Sequence, residues 1–143
     1  RFDFKNTGLG KTFRLAKWTL GFVLVTQAAF IVVTKLASGA TVGGVVSFHG
    51  GLDAPTPADG AAIKAKVLAL HGAVDPFVAP TDLAAFTKQM TDGKVDWQFV
   101  NFGGAVHCFA EADANRDGCR YEPKAARRAF VMMENFFDER FDD

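Results

Sequence analysis

The stretch 18-WTLGFVLVTQAAFIVVTKLASGA-40 is the most apolar in the chain, and how it folds decides what the chain is. One reading is a membrane helix over residues 18–36. The interval between Lys17 and Lys35 lies at the short end for a span, which needs about 20 apolar residues, and it carries Thr19, Thr26, Gln27 and Thr34. The other reading is a buried strand over Trp18–Val25 followed by a helix over Gln27–Ser38, closed by Gly39 in the left-handed position after its end. The polar residues favour the strand and helix, and the membrane helix is kept as the alternative.

Outward from this stretch, short apolar runs alternate with amphipathic segments, as they do in strand and helix units built around a parallel sheet. Strands are expected near Val42–Phe48, Lys66–Leu70 and Val95–Phe102. The segment Thr81–Met90 follows Pro80 and places Leu83, Phe86 and Met90 on one helical face, which should pack on the sheet. A long closing helix begins at Pro123 and repeats apolar side chains at Ala126, Phe130, Met133, Phe137 and Phe141. Residues 50–63 gather Gly and Pro turn signals and are expected to be a surface connection. The fold class is therefore α/β, with a mostly parallel sheet flanked by helices. Residues 1–17 form an N-terminal extension and residues 18–143 the α/β domain.

Bulk properties narrow the partners. A chain of 143 residues with 49% hydrophobic and 22% charged content is an ordinary globular domain. Its 16 basic and 16 acidic residues cancel, with no Lys/Arg block, so it has no electrostatic footprint for nucleic acid or an anionic membrane surface. Small, roughly neutral or apolar partners are favoured. The two cysteines, Cys108 and Cys119, could pair across a short loop, but two alone make neither a disulfide framework nor a zinc site. The chain opens on Arg1 without a signal-peptide pattern, as a processed chain or a fragment would.

Three motifs fall short. In TGLGKT, residues 7–12, a phosphate loop would need glycine where Lys5 stands, and no strand precedes it. DANRDG, residues 113–118, starts like a calcium loop with Asp113, Asn115 and Asp117, but its twelfth position is Lys124 where a bidentate carboxylate belongs. A polar loop ahead of the last helix is the simpler expectation. His49, His71, His107, Cys108 and Cys119 contain no pair with recognised zinc spacing, so dispersed structural roles are expected and no metal site.

Two segments are more informative. KVLALHGAVDPF, residues 66–77, is an apolar strand running into a Gly turn and Asp75; VNFGGAVHCF, residues 100–109, is a strand, a Gly pair and His107. Loops at the carboxyl ends of parallel strands are where open α/β sheets place their sites. An Asp followed by a His suits a triad whose chain order is nucleophile, acid, base. In that role the His takes the nucleophile's proton while the Asp fixes its tautomer. A loop-capping Asp and a hydrogen-bonded structural His are the alternatives.

The runs GVVSFHGGL, KVLALHGAVDPF, DWQFVNFGGAVHCFAEADAN and ARRAFVMMENFFDERF, within residues 44–141, resemble in order and spacing the carboxyl-terminal half of dienelactone hydrolases, a branch of the α/β-hydrolases. The resemblance implies that Asp75 is the triad acid and His107 the base, that substrates are small esters or lactones, and that no metal or organic cofactor is needed. It also implies where the nucleophile belongs. Family members carry an elbow of the form G-Y-C-F-G-G, and counting back from Ser38, Gly39 and Ala40 places it on LVTQAA, residues 24–29. The nucleophile position is then Thr26, and Ala28 and Ala29 replace glycines.

β-Branched Thr fits a strained elbow badly, and its hydroxyl is a weaker nucleophile than a His-paired thiolate. A register three residues earlier would put Val23 there. Cys108, adjacent to the base, is badly placed to substitute, whereas Cys119 is not excluded by sequence. The resemblance further implies that the family's amino-terminal half is missing, with its central strands and one oxyanion-hole N–H. Losing one such donor costs about 10² to 10³ in turnover. The expectation is thus a partial α/β-hydrolase domain, impaired or inactive because the nucleophile is replaced. Its alternative is a non-catalytic structural or accessory subunit of a larger assembly, membrane-associated if residues 18–36 form a helix, with a protein partner covering the incomplete sheet.

Overall fold

A computed structural model of the protein describes residues 22–25, 42–53 and 57–141. Four strands, β1 (Phe22–Val25), β2 (Gly44–Phe48), β3 (Lys66–Gly72) and β4 (Trp97–Phe102), form one sheet in sequential order. All three pairings are parallel, with Val25 opposite Ser47, Phe48 opposite Leu70, and Gly72 opposite Phe102. Because β1 belongs to this sheet, one continuous helix over residues 18–36 is excluded. The expected helix over Gln27–Ser38, the extension over residues 1–17 and the rest of the membrane alternative lie outside the described residues. Among the described residues no helix is long and apolar enough to cross a membrane.

The sheet is apolar on both faces because successive side chains of a strand point to opposite sides. Val45, Val67 and Ala69 enter one core cluster; Val46, Phe48, Leu68 and Leu70 enter the other. Helix α1 (Pro80–Asp92) covers the first face with Phe86 and Met90, and Leu83 packs partly buried beside them, as the helical spacing predicts. Helix α2 (Pro123–Phe141) covers the second with Ala125, Ala129, Met133 and Phe137. The result is three layers, with β2 buried along its length and β3 buried from Val67 to Gly72, the arrangement of a partial α/β-hydrolase fold.

Local chemistry sets the helix starts. Pro80 supplies a ready-made helical φ, and the Asp82 carboxylate accepts from the Ala79 N–H at 3.2 Å. At α2, Pro123 plays the same part, and Glu122 accepts from the Ala125 N–H at 2.8 Å, satisfying one of the donors that a helix N-terminus leaves unpaired.

Three expectations are corrected. Phe130 does not share the burial of Ala126, Met133 and Phe137 in the apolar repeat of α2: it is 41% exposed, with its ring 5.0 Å from that of Phe48. Residues 57–62 form a 3₁₀ turn rather than a plain surface connection, and Gly60 is buried against α1, where a Cβ would lie 2.5 Å from the Gln89 carbonyl. The DANRDG segment is not a plain polar loop: it makes a hairpin of β5 (Asn115–Arg116) and β6 (Cys119–Arg120), turned by Gly118 at φ 69°.

Candidate active site

The four parallel strands end at one edge of the sheet, and the described loops leaving β2, β3 and β4 meet there. Residue 26 follows β1, His49 follows β2, Asp75 lies three residues past β3, and His107 five residues past β4. Thr26 itself lies outside the described residues; Asp75 and His107 are brought together as the sequence predicts.

The Asp75 turn is built by close approach. The Asp75 N–H donates to the Gly72 carbonyl at 3.0 Å, and the Phe77 N–H donates to Asp75 Oδ1 at 2.9 Å, so the carboxylate is aimed by its own backbone. Gly72 permits the His107 loop to lie against this turn, since a Cβ there would sit 2.5 Å from the Val106 carbonyl oxygen. The remaining carboxylate oxygen, Oδ2, meets His107 Nδ1 at 2.7 Å. The Asp75 side chain is fully buried, whereas that of His107 is 18% exposed. An ionised carboxylate only accepts, so Nδ1 carries the proton and Nε2 is left as the basic nitrogen.

A third imidazole lies beside this pair. His49 is wholly buried at φ 40°, in the left-handed region, a conformation that costs a non-glycine residue about 1–3 kcal/mol. Its N–H donates to the Leu70 carbonyl at 2.8 Å, and its ring stands 5.1 Å from that of His107 and 5.4 Å from Phe109. Neither ring nitrogen has a hydrogen-bond partner among the described residues. Burial, reinforced by neighbouring His107, lowers its pKa to about 4, so the ring is neutral at pH 7. Glu111 Oε1 lies 3.8 Å from His49 Nε2, too far for a hydrogen bond. His71, in β3, is also held below its usual range by burial, and its ring lies 5.6 Å from Phe99. No group of His, Cys, Asp and Glu suited to a metal ion occurs among the described residues.

The sequence left the cysteines open; the structure joins Cys108 to Cys119, with Cα atoms 4.9 Å apart. Cys119, not excluded by sequence as a nucleophile, is therefore not a free thiol. Sequence reasoning also missed Phe77, whose ring stands edge-on to His107 at 5.4 Å and 87°. With His107, the disulfide, Arg116 and Asp117 it lines a cavity of about 440 Å³. The signal for Phe77 was its place two residues after the acid.

The parallel sheet with a buried Asp and a half-buried His on successive strand ends defines an α/β-hydrolase type of protein. The family model for the dienelactone hydrolase family matches residues 21–141, and the chain belongs to that family. Among solved structures, it is 36% identical to a dienelactone hydrolase-like promiscuous phosphotriesterase from metagenomic libraries, with a TM-score of 0.70 over 74% of this chain and 46% of that one. It is 35% identical to the solved structure m3DLH, with a TM-score of 0.76 over 84% of this chain and 52% of that one. The chain thus spans about half the length of these relatives. The esterase domain of a Rhodothermus marinus protein, 16% identical with a TM-score of 0.54 over 92% of this chain and 69% of that one, shares the fold. No match is found among curated proteins.

Proposed function

We propose that this chain carries a hydrolase site for small carboxylic esters or lactones, with His107 as general base, Asp75 as its orienting acid and Thr26 at the nucleophile position. The observation that carries this reading is the 2.7 Å contact between His107 Nδ1 and Asp75 Oδ2, made by a buried carboxylate and a solvent-reaching imidazole. Such a pair delivers a basic Nε2 to the open side of the sheet edge. In the first half-reaction, the residue 26 oxygen attacks the carbonyl carbon, its proton passes to Nε2, and that proton then goes to the leaving alcohol. Water hydrolyses the acyl-enzyme by the same relay.

Turnover is impaired by the nucleophile. A Thr hydroxyl is deprotonated with difficulty and its branched side chain suits an elbow poorly, whereas a thiolate paired with His is a strong nucleophile. Hydrolysis of a small p-nitrophenyl ester by wild type, His107→Ala and Thr26→Cys tests this. The reading expects weak activity in wild type, none in His107→Ala, and a gain in Thr26→Cys. Because one relative is named a promiscuous phosphotriesterase, a p-nitrophenyl phosphotriester is the second substrate to assay. Folded wild type and Thr26→Cys that both leave the ester intact would sink the catalytic reading and favour the accessory subunit.

A further inference from the structure

The loop that carries His107 is closed by a covalent bond. Cys108, the next residue, is joined to Cys119, 11 positions on, and both are buried. Backbone contacts converge on the same place: the His107 N–H donates to the Gly118 carbonyl at 3.1 Å, and the Arg120 N–H donates to the His107 carbonyl at 3.0 Å. Arg116 Nη2 donates to Cys119 Sγ at 3.3 Å.

The hairpin then bears on the loop of the acid. A Cβ at Gly118 would lie 2.7 Å from Pro76 Cγ and 3.0 Å from Phe77 Cζ, and Phe77 holds Asp75 Oδ1 through its N–H. Acid, base and hairpin therefore close a ring of contacts in which the disulfide is the covalent member. Cys108 is held at φ 58°, in the left-handed region, which a non-glycine residue leaves readily once released. Both cysteines line the cavity onto which His107 opens, and because they are buried a small dithiol reaches the bond from that cavity only as the loop opens.

We propose that the Cys108–Cys119 disulfide is a positioning element for His107, and that its reduction by a dithiol frees the base from Asp75 and makes the site redox-dependent. A thiolate of the dithiol attacks one cysteine sulfur and displaces the other cysteine as thiolate. The dithiol's second sulfur then closes its own ring, releasing the first cysteine. Two electrons pass to the protein sulfurs, the dithiol leaves as a cyclic disulfide, and its two protons end on Cys108 and Cys119.

The proposal rests on reading His107 as the base, but its central claim is measurable without turnover. The probe is the low-field proton resonance of His107 Nδ1–H, identified by its absence in His107→Ala and followed in the oxidised protein, after dithiothreitol, after reoxidation, and in Cys119→Ser. The expected result is a resonance that disappears as two thiols become titratable, returns on reoxidation, and is missing in Cys119→Ser, with the far-ultraviolet circular dichroism unchanged. Any ester turnover should fall by about 10²-fold in kcat with KM little altered, the effect of misplacing a catalytic group by about 1 Å.

A resonance that persists with both thiols free overturns the proposal. So does loss of the whole fold on reduction, which would make the disulfide a general staple. If the resonance follows the redox state while no form hydrolyses ester, the positioning role stands and the catalytic reading fails.

Discussion

Gly72 decides whether acid and base can meet. Its missing Cβ would lie 2.5 Å and 2.7 Å from the carbonyl oxygens of Val106 and Ala105, backbone atoms that cannot rotate away. Gly72→Ala should therefore displace the His107 loop, lowering the urea midpoint by the equivalent of about 1–3 kcal/mol, as overpacking does, and removing any ester turnover. At Asp75 the effect is electronic. Asp75→Asn can present its amide N–H to Nδ1, which moves the imidazole proton to Nε2 and blunts the base. An unchanged fold with turnover down by as much as about 10⁴ is the expected outcome, measured by circular dichroism beside the ester assay.

The two helices clamp the sheet from opposite sides, and their apolar residues are not equivalent. Phe86 of α1 is fully buried and edge-on to Trp97 at 5.6 Å, so Phe86→Ala should cost about 3–5 kcal/mol in a denaturant titration. Phe130→Ala on α2, where the ring is 41% exposed, should cost well under half as much. The elements legible in the sequence were those with a strong period: β2, β3, β4, α1 and α2 all fall where the apolar spacing put them, within two residues at most of their ends. Asp75 and His107 were legible because each follows a strand and a Gly turn. The 3₁₀ turn and the hairpin were not, because distant partners make them: Gly60 packs on α1, and Cys119 is bonded to Cys108. His49 looked like one dispersed histidine among three, since spacing along the chain says nothing of a ring 5.1 Å from His107.

Across the whole molecule, burial of His49 links folding to pH. Below pH 6.5 the unfolded chain takes up a proton at this residue that the folded chain refuses until about pH 4. Its contribution is complete above 6.5 and is lost as pH falls through that window, to an extent of about 3 kcal/mol. His71 acts in the same direction. The urea midpoint should thus drop between pH 7 and pH 4, and His49→Asn, which tolerates the left-handed backbone, should flatten the slope. The sequential strand order has a separate consequence. Neighbouring strands lie about 4.8 Å apart, so β4 stands roughly 10 Å from β2. Yet His107, which leaves β4, brings its ring to 5.1 Å from that of His49, which leaves β2. The intervening residues 103–106 act as a ruler laid back across the mouth of β3. Removing one of them would shorten the reach by about 3.5 Å, more than the whole length of the Asp75 contact. A Cβ at Gly103 would meet no described atom within 4 Å. At that position the ruler can change its lettering, but its graduation is fixed.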